Sequence, residues 1–309
     1  MSSIIDRIRQ LKKDKKAVIL AHNYQLPEVQ DIADYVGDSL GLAQQASQND
    51  DARIIVFCGV HFMAETAAII CPDKTVLIPD LHAGCPLANM ITVRELRELK
   101  KQFPDAVVVT YINSSAEIKA ESDYCCTSSN AVKVVQSIPK EKRIIFIPDQ
   151  HLGSYVNSQA GRNLPDGQAG MILWHGYCPT HKRIMAEDIR KRKKLYPQAQ
   201  VVVHPECTTE VIRLADKVAS TSGILKYCKE SKNSEFIIGT EIGVLHRLKK
   251  ENPNKTFITA SDFADCPNMK LNSLEKIMWS LEDSVYQITV PKKIAEPALK
   301  SIRRMLAIT

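Results

Sequence analysis

The chain has 309 residues, 44 % of them hydrophobic, with 41 basic against 35 acidic side chains and a formal net charge of +6. That length suits two or three domains with a sizeable core rather than one small domain. No run reaches the roughly 18 uninterrupted apolar residues of a membrane span, and a weak positive excess with 6 % aromatic residues makes a poor nucleic-acid surface, so neither partner is expected.

The elements then come three times over. A helix-like run at Asp6 to Lys13 (DRIRQLKK) leads into an apolar run AVILAH from Ala17, a second run RIIVFCG from Arg53, and a third, TVLIPDLHAGCP from Thr75, that ends on a cysteine. The next stretch repeats the order: RELRELKK from Arg94, AVVVTY from Ala106, RIIFIPD from Arg143 and MILWHGYCP from Met171. So does the last, with EDIRKRKK from Glu187, QVVVHP from Gln200, EFIIGTE from Glu235 and TFITASDFADCP from Thr256. The densest basic run, Arg190 to Lys194, lies on the third of these helices and reads as a solvated face. Short β-branched runs are the pattern of strands buried on both faces of a parallel sheet. Each copy therefore predicts helix, strand, helix, strand, helix, strand. The fold expected is α/β: three homologous three-layer α/β/α units, at 1–90, 91–182 and 183–309, in pseudo-three-fold arrangement around a central site. Helical patterns at Leu274 to Leu281 and Ala295 to Leu306 form an extension expected to pack on the outside.

Three sets of residues stay in register. Adding 89 takes His22 to Tyr111, Tyr24 to Asn113 and Ser39 to Ser128, and adding a further 93 takes these to His204, Glu206 and Thr221. Cysteine followed by proline closes each copy at Cys85, Cys178 and Cys266. The start MSSIIDRIRQ lacks the apolar stretch of a signal peptide, which predicts a cytoplasmic address, where nine cysteines are reduced and available for metal or catalysis. Three thiolates on a pseudo-three-fold axis match three corners of a [4Fe-4S] cube and leave one iron open. Zinc, with His82, His175 or His181 as fourth ligand, is the competing metal. Cys58, Cys71, Cys125, Cys126, Cys207 and Cys228 have no counterparts, and most of them read as buried small hydrophobes.

The hydroxyl trio Ser39, Ser128 and Thr221 stands five residues after an aspartate (Asp34, Asp123, Asp216) and before a helical run. It predicts either N-caps or sites for carboxylate and phosphate, since helix starts offer free N–H groups. The pairs His22/Tyr24, Tyr111/Asn113 and His204/Glu206 sit at strand ends, with i and i+2 on one side, and supply groups able to move protons.

AHNYQ, GDSLGLA, YINSSAEIKAESD, CTSSNA, GYCPTH, HPEC and DCPNMK together resemble the quinolinate synthase family of de novo NAD biosynthesis over residues 1 to 305. The resemblance implies a triangle of α/β units around a [4Fe-4S] cluster on Cys85, Cys178 and Cys266. It implies iminoaspartate and dihydroxyacetone phosphate as substrates, with L-aspartate oxidase or aspartate dehydrogenase as upstream supplier. Substrate would be bound by His22, Ser39, Tyr111, Ile112, Asn113, Ser128, His204, Pro205, Glu206 and Thr221. Tyr24 and Glu206 would move protons, with His22 and His204 beside them. Some members carry a C-x-x-C pair near the C-terminus; this chain does not. Another cluster-dependent dehydratase, which needs no phosphate site, and a non-catalytic iron-sulfur sensor are the alternatives.

Overall fold

The structure, a computed structural model, describes residues 3–48, 51–162 and 170–308. Twelve strands form three four-stranded sheets. The first holds β1 (Ala17–His22), β2 (Tyr35–Gly37), β3 (Ile54–Cys58) and β4 (Thr75–Leu77). The second holds β5 (Val107–Tyr111), β6 (Tyr124–Cys126), β7 (Ile144–Ile147) and β8 (Met171–Leu173). The third holds β9 (Gln200–Val203), β10 (Lys217–Val218), β11 (Glu235–Gly239) and β12 (Thr256–Thr259). All pairs are parallel, and the orders β2-β1-β3-β4, β6-β5-β7-β8 and β10-β9-β11-β12 are one topology used three times.

Strand alternation builds the layers. Side chains of period two point to opposite faces of a sheet, and they sort accordingly: Val18 and Leu20, Val109 and Tyr111, and Val202 enter one core shared by all three units. Their neighbours Ile19 and Ala21, Val108, and Val201 and Val203 enter three separate outer cores. Each sheet thus gives one face to its own outer helices and the other to the common centre. That arrangement aims the carboxyl ends of the central strands at one place.

The sequence runs predict three strands per unit, and the structure has four. The extra ones, β2, β6 and β10, are two- or three-residue edge strands, too short to carry an apolar period, and Tyr35 in β2 is exposed. What defines them is the repeated aspartate just before each. Asp34, Asp123 and Asp216 accept the backbone N–H of Ile19, Val108 and Val201 at 2.7, 2.8 and 2.7 Å, so each carboxylate stitches its edge strand to the central one. Asp216→Ala strips the Val201 N–H of its acceptor, so we expect a loss of about 1–3 kcal/mol and a lower thermal midpoint. An unchanged midpoint would mean that water replaces the carboxylate.

The extension forms two helices as expected, Leu274–Asp283 and Lys292–Leu306. The first joins the outer core of the first unit, with Ile277 and Leu281 beside Ile8 and Leu11. The second lies on the second unit, where Ser301 Oγ donates to the Lys119 carbonyl at 2.8 Å and Asn130 Nδ2 donates to the Met305 and Ile308 carbonyls at 3.0 and 2.7 Å. The tail therefore straps the first two units together. No helix among the described residues is long and apolar enough to cross a membrane.

Candidate active site

In each sheet the strand order reverses between the first and third strands, with the second strand on one side and the fourth on the other, and ligands of open α/β sheets gather outside the carboxyl ends at such a switch point. His22 ends β1, Tyr111 ends β5, and His204 follows β9 directly. These residues, with Tyr24, Asn113 and Glu206, line a single cavity. The first and third units share a turn here: the Tyr24 N–H donates to His22 Nδ1 at 3.2 Å, and the Glu206 N–H to His204 Nδ1 at 3.3 Å.

Glu206 is buried. Its Oε2 lies 3.2 Å from His204 Nδ1 and 3.4 Å from His181 Nδ1, and the two imidazoles stack with centroids 4.6 Å apart. The other oxygen, Oε1, has no partner and neither does Asn113 Oδ1, so buried polar atoms await a ligand here. From His181 a run of hydrogen bonds leads to the tyrosine: His181 Nε2 to Thr240 Oγ1 at 2.9 Å, Thr240 Oγ1 to the Tyr24 hydroxyl at 2.7 Å, and that hydroxyl to Thr221 Oγ1 at 2.9 Å.

Burial sets the protonation states. It pushes His22 down to about 4, against the pull of the Asp38 charge, and His181 down to about 3, against Glu206, so both rings are neutral at neutral pH. It also holds the Tyr24 hydroxyl well above its usual value, although Thr221 and Thr240 bond to it, which keeps the phenol a donor. For Glu206 burial again favours the neutral form, but His181, His204 and the Tyr111 hydroxyl outweigh it and the carboxyl is held below its ordinary range. Because the His181 ring is neutral, that support is a dipole facing the carboxylate rather than a full ion pair.

Cys85, Cys178 and Cys266 line the same cavity and are half-buried, whereas the other six cysteines are buried. Each Cys-Pro opens a short helical turn, at Leu87–Asn89, Pro179–Lys182 and Met269–Leu271. Burial raises all three thiols, and in each case it is opposed by the backbone N–H three residues on, from Ala88, His181 and Met269. Donors aimed at sulfur favour the thiolate, and three soft ligands with such support are a donor set that fits a thiolate-bound metal group. A second grouping of potential ligands, Cys178, His181 and Glu206, has its donor atoms within 4.8 Å of one another.

The hydroxyl trio also lines the cavity, and capping is not its role. Asp38 and Ser220, one residue earlier, accept the Gly41 and Gly223 N–H groups at 2.9 and 3.2 Å and cap the helices Ser39–Gln48 and Thr221–Glu230. Ser128 stands in a turn three residues before the helix Ala131–Ser137, its hydroxyl 3.1 Å from His204 Nε2. Thr221 of the third unit thus meets Tyr24 of the first, and His204 of the third meets Ser128 of the second.

Two residues carried by position do not reach the cavity. Ile112 is buried in the common core, its N–H bonded to the Cys126 carbonyl at 2.8 Å and its own carbonyl to the Ser114 N–H at 2.8 Å. Pro205 faces a separate outer depression with Tyr155 and Lys217. Of the histidines weighed as metal ligands, His82 and His175 are exposed, and His181 alone lines the cavity. Sequence reasoning missed Thr240, Asp38 and Glu241. The one available signal was for Glu241, which follows the strand EFIIG much as Glu206 follows its own strand.

One thiol-bearing cavity built from the strand ends of three α/β units defines an enzyme with a single composite active site. Its family is shown by comparison. Residues 6–307 match the family described as NadA, quinolinate synthetase A protein. The chain is similar to a quinolinate synthase of Dehalococcoides mccartyi, 54 % identical over 99 % of this chain and 98 % of the relative, and to one of Methanosarcina barkeri, 52 % identical over the same shares. A quinolinate synthase of Geobacter sp. strain M21 is 53 % identical over 97 % of this chain and 96 % of its own. The chain belongs to the quinolinate synthase family.

Proposed function

We propose that the enzyme condenses iminoaspartate with dihydroxyacetone phosphate to give quinolinate, phosphate and two waters, with a [4Fe-4S] cluster held by Cys85, Cys178 and Cys266. The observation that carries this reading is the meeting, in one cavity, of three Cys-Pro thiols, three hydroxyls from separate units and a buried carboxylate with an unpartnered oxygen. Zinc is the competing reading, since Cys178, His181 and Glu206 have ligand atoms within 4.8 Å of one another, and iron, labile-sulfide and zinc analysis of the anaerobically prepared protein separates the two. When bound, the cluster supplies a Lewis-acidic iron free of protein ligands. The expected setting is the cytoplasm, with L-aspartate oxidase or aspartate dehydrogenase supplying the imine.

The chain's own residues divide the remaining work. Ser39, Ser128 and Thr221, with His22 and the Tyr111 and Asn113 side chains, hold the carboxylates and the phosphate. Glu206, through its free Oε1, takes a proton from carbon next to an imine or carbonyl, and its burial keeps that carboxylate away from bulk water. Tyr24, kept protonated, donates to a departing hydroxyl. Thr240 links it by hydrogen bonds to His181 Nε2, and the other ring nitrogen, His181 Nδ1, stands 3.4 Å from Glu206 Oε2, which places the donor and the base near one path.

Because capping is done by Asp38 and Ser220, the trio can be tested free of that complication. Ser39→Ala, Ser128→Ala and Thr221→Ala should each weaken substrate binding by about 1–3 kcal/mol, the scale of a hydrogen bond to a charged group, with little change in thermal midpoint. Apparent KM values for both substrates in anaerobic assays measure this. Parental KM values in all three variants would remove the hydroxyls from the binding site.

A further inference from the structure

Two buried carboxylates, Asp149 and Glu241, have no part in that chemistry, and they occupy one position of the repeat. In every unit, the N–H one residue beyond this position donates to the carbonyl two residues before the Cys-Pro cysteine: His61 to Ala83 at 2.7 Å, Gln150 to Gly176 at 2.8 Å, Ile242 to Ala264 at 3.0 Å. The preceding residue is therefore the same place three times. It is Val60, then Asp149, then Glu241.

Glu241 is fully buried and fully bonded. Its Oε1 accepts the Cys266 N–H at 3.0 Å and lies 2.9 Å from Lys270 Nζ, and its Oε2 accepts the Gly243 N–H at 2.7 Å. Lys270 Nζ donates onward to the Tyr24 carbonyl. The packing leaves no room for a side chain at Gly243, whose Cβ would stand 2.7 Å from Lys270 Nζ, 2.8 Å from Glu241 Oε2 and 2.8 Å from the Tyr24 backbone. Asp149 makes a looser version: Oδ1 accepts the His151 and Leu152 N–H groups at 2.8 Å each, the Cys178 N–H faces the carboxylate, and Oδ2 has no partner. The first unit has no counterpart. Val60 lines the cavity, and the loop before Cys85 is held from the third unit instead, by Asn268 Nδ2 to the Gly84 carbonyl at 2.8 Å.

We infer that Glu241, paired with Lys270, is a positioning residue that ties the Cys266 loop to the Tyr24 loop, with Asp149 its weaker counterpart at Cys178. The inference rests on the proposed cluster, since what is positioned is a thiolate ligand relative to the proton-donating hydroxyl. Replacing a group that orients a metal ligand commonly costs about 10–100-fold in metal affinity. Here the carboxylate fixes the loop by its N–H and leaves the sulfur free.

The test uses anaerobically purified protein carrying its cluster, with iron release to a chelator, cluster reduction potential and the thermal midpoint of the apoprotein as readouts. Glu241→Ala should release iron at least about tenfold faster than the parent; its apoprotein midpoint should also fall, because two backbone N–H groups and Lys270 lose their acceptor. Glu241→Gln, whose amide oxygen still accepts the Cys266 N–H, should recover part of the retention. Both variants should show a raised potential, because an anion near the cluster is gone and the more negative reduced state is easier to reach. Asp149→Asn should accelerate release less than Glu241→Ala. Parental release with an unshifted potential in Glu241→Ala overturns the inference, as does a fall in apoprotein midpoint with unchanged release. If Glu241→Ala does not fold, an unshifted potential in Glu241→Gln overturns it alone. A parent protein without iron and labile sulfide would instead defeat the proposed cluster, and the inference with it.

Discussion

Glu206→Gln should retain a full cluster and bind both substrates, yet form quinolinate at least about a hundredfold more slowly, the scale of losing a general base. The amide keeps the shape of the side chain and one accepting oxygen, so the two imidazoles beside it need not move. Only the capacity to take a proton is lost. A carboxylate is an unfavourable choice for holding anionic substrates, because like charges repel. It is not explained as an ion-pair partner for a strand-end lysine or arginine either: within 4.0 Å the basic groups beside it are His181 and His204, and burial keeps His181 neutral. Oε1 is unpartnered inside the cavity, which supports the proposed role in proton transfer. The measurement is kcat under anaerobic conditions at saturating substrate, with iron content and KM as controls. Turnover near the parental rate would move the base to Tyr24 or His204.

What could be read from the chain and what could not divide along physical lines. Continuous β-branched runs such as AVIL and VVVT report a buried parallel strand by themselves, and the three in-register copies then fix a common architecture. The strand-end pairs and the Cys-Pro loops were legible for the same reason, since a residue at a strand's carboxyl end has its position set by the strand. The edge strands were not, because Lys217 and Val218 carry no period and the strand they form is defined by the Asp216 carboxylate reaching the Val201 N–H. The choice between capping and binding stays open in the sequence for a related reason. A hydroxyl near a helix start predicts a cap, but the choice between Ser220 and Thr221 turns on a shift of one residue that only backbone geometry settles. Thr240 and the Glu241–Lys270 pair depend on contacts between units, through Tyr24 of the first unit, and no spacing within one copy reports those.

Replacing Cys85, Cys178 or Cys266 by alanine should abolish or strongly reduce cluster incorporation and with it quinolinate formation, whereas Cys58→Ala and Cys228→Ala should leave both nearly intact. Acidity does not separate the two groups: burial raises the Cys58, Cys228 and Cys85 thiols alike, the last two to about 12. Placement does. Cys58 packs with Ile19 and Leu77 in an outer core and Cys228 with Ile224 and Phe236 in the common core; neither lines the cavity, and each acts as a small hydrophobe. Cys85, Cys178 and Cys266 open on one cavity, each at the start of a helical turn whose backbone N–H points at its sulfur, so a metal can draw off the proton that burial otherwise retains. Three ligands from three units also act together: losing one leaves two thiolates on separate loops, with no fourth cysteine lining the cavity to replace it. Iron and labile-sulfide analysis of each anaerobically prepared variant, beside its visible absorption, measures the outcome. Stoichiometric zinc without labile sulfide in the parent would overturn the cluster, and full iron in any of the three alanine variants would remove that cysteine from the ligand set.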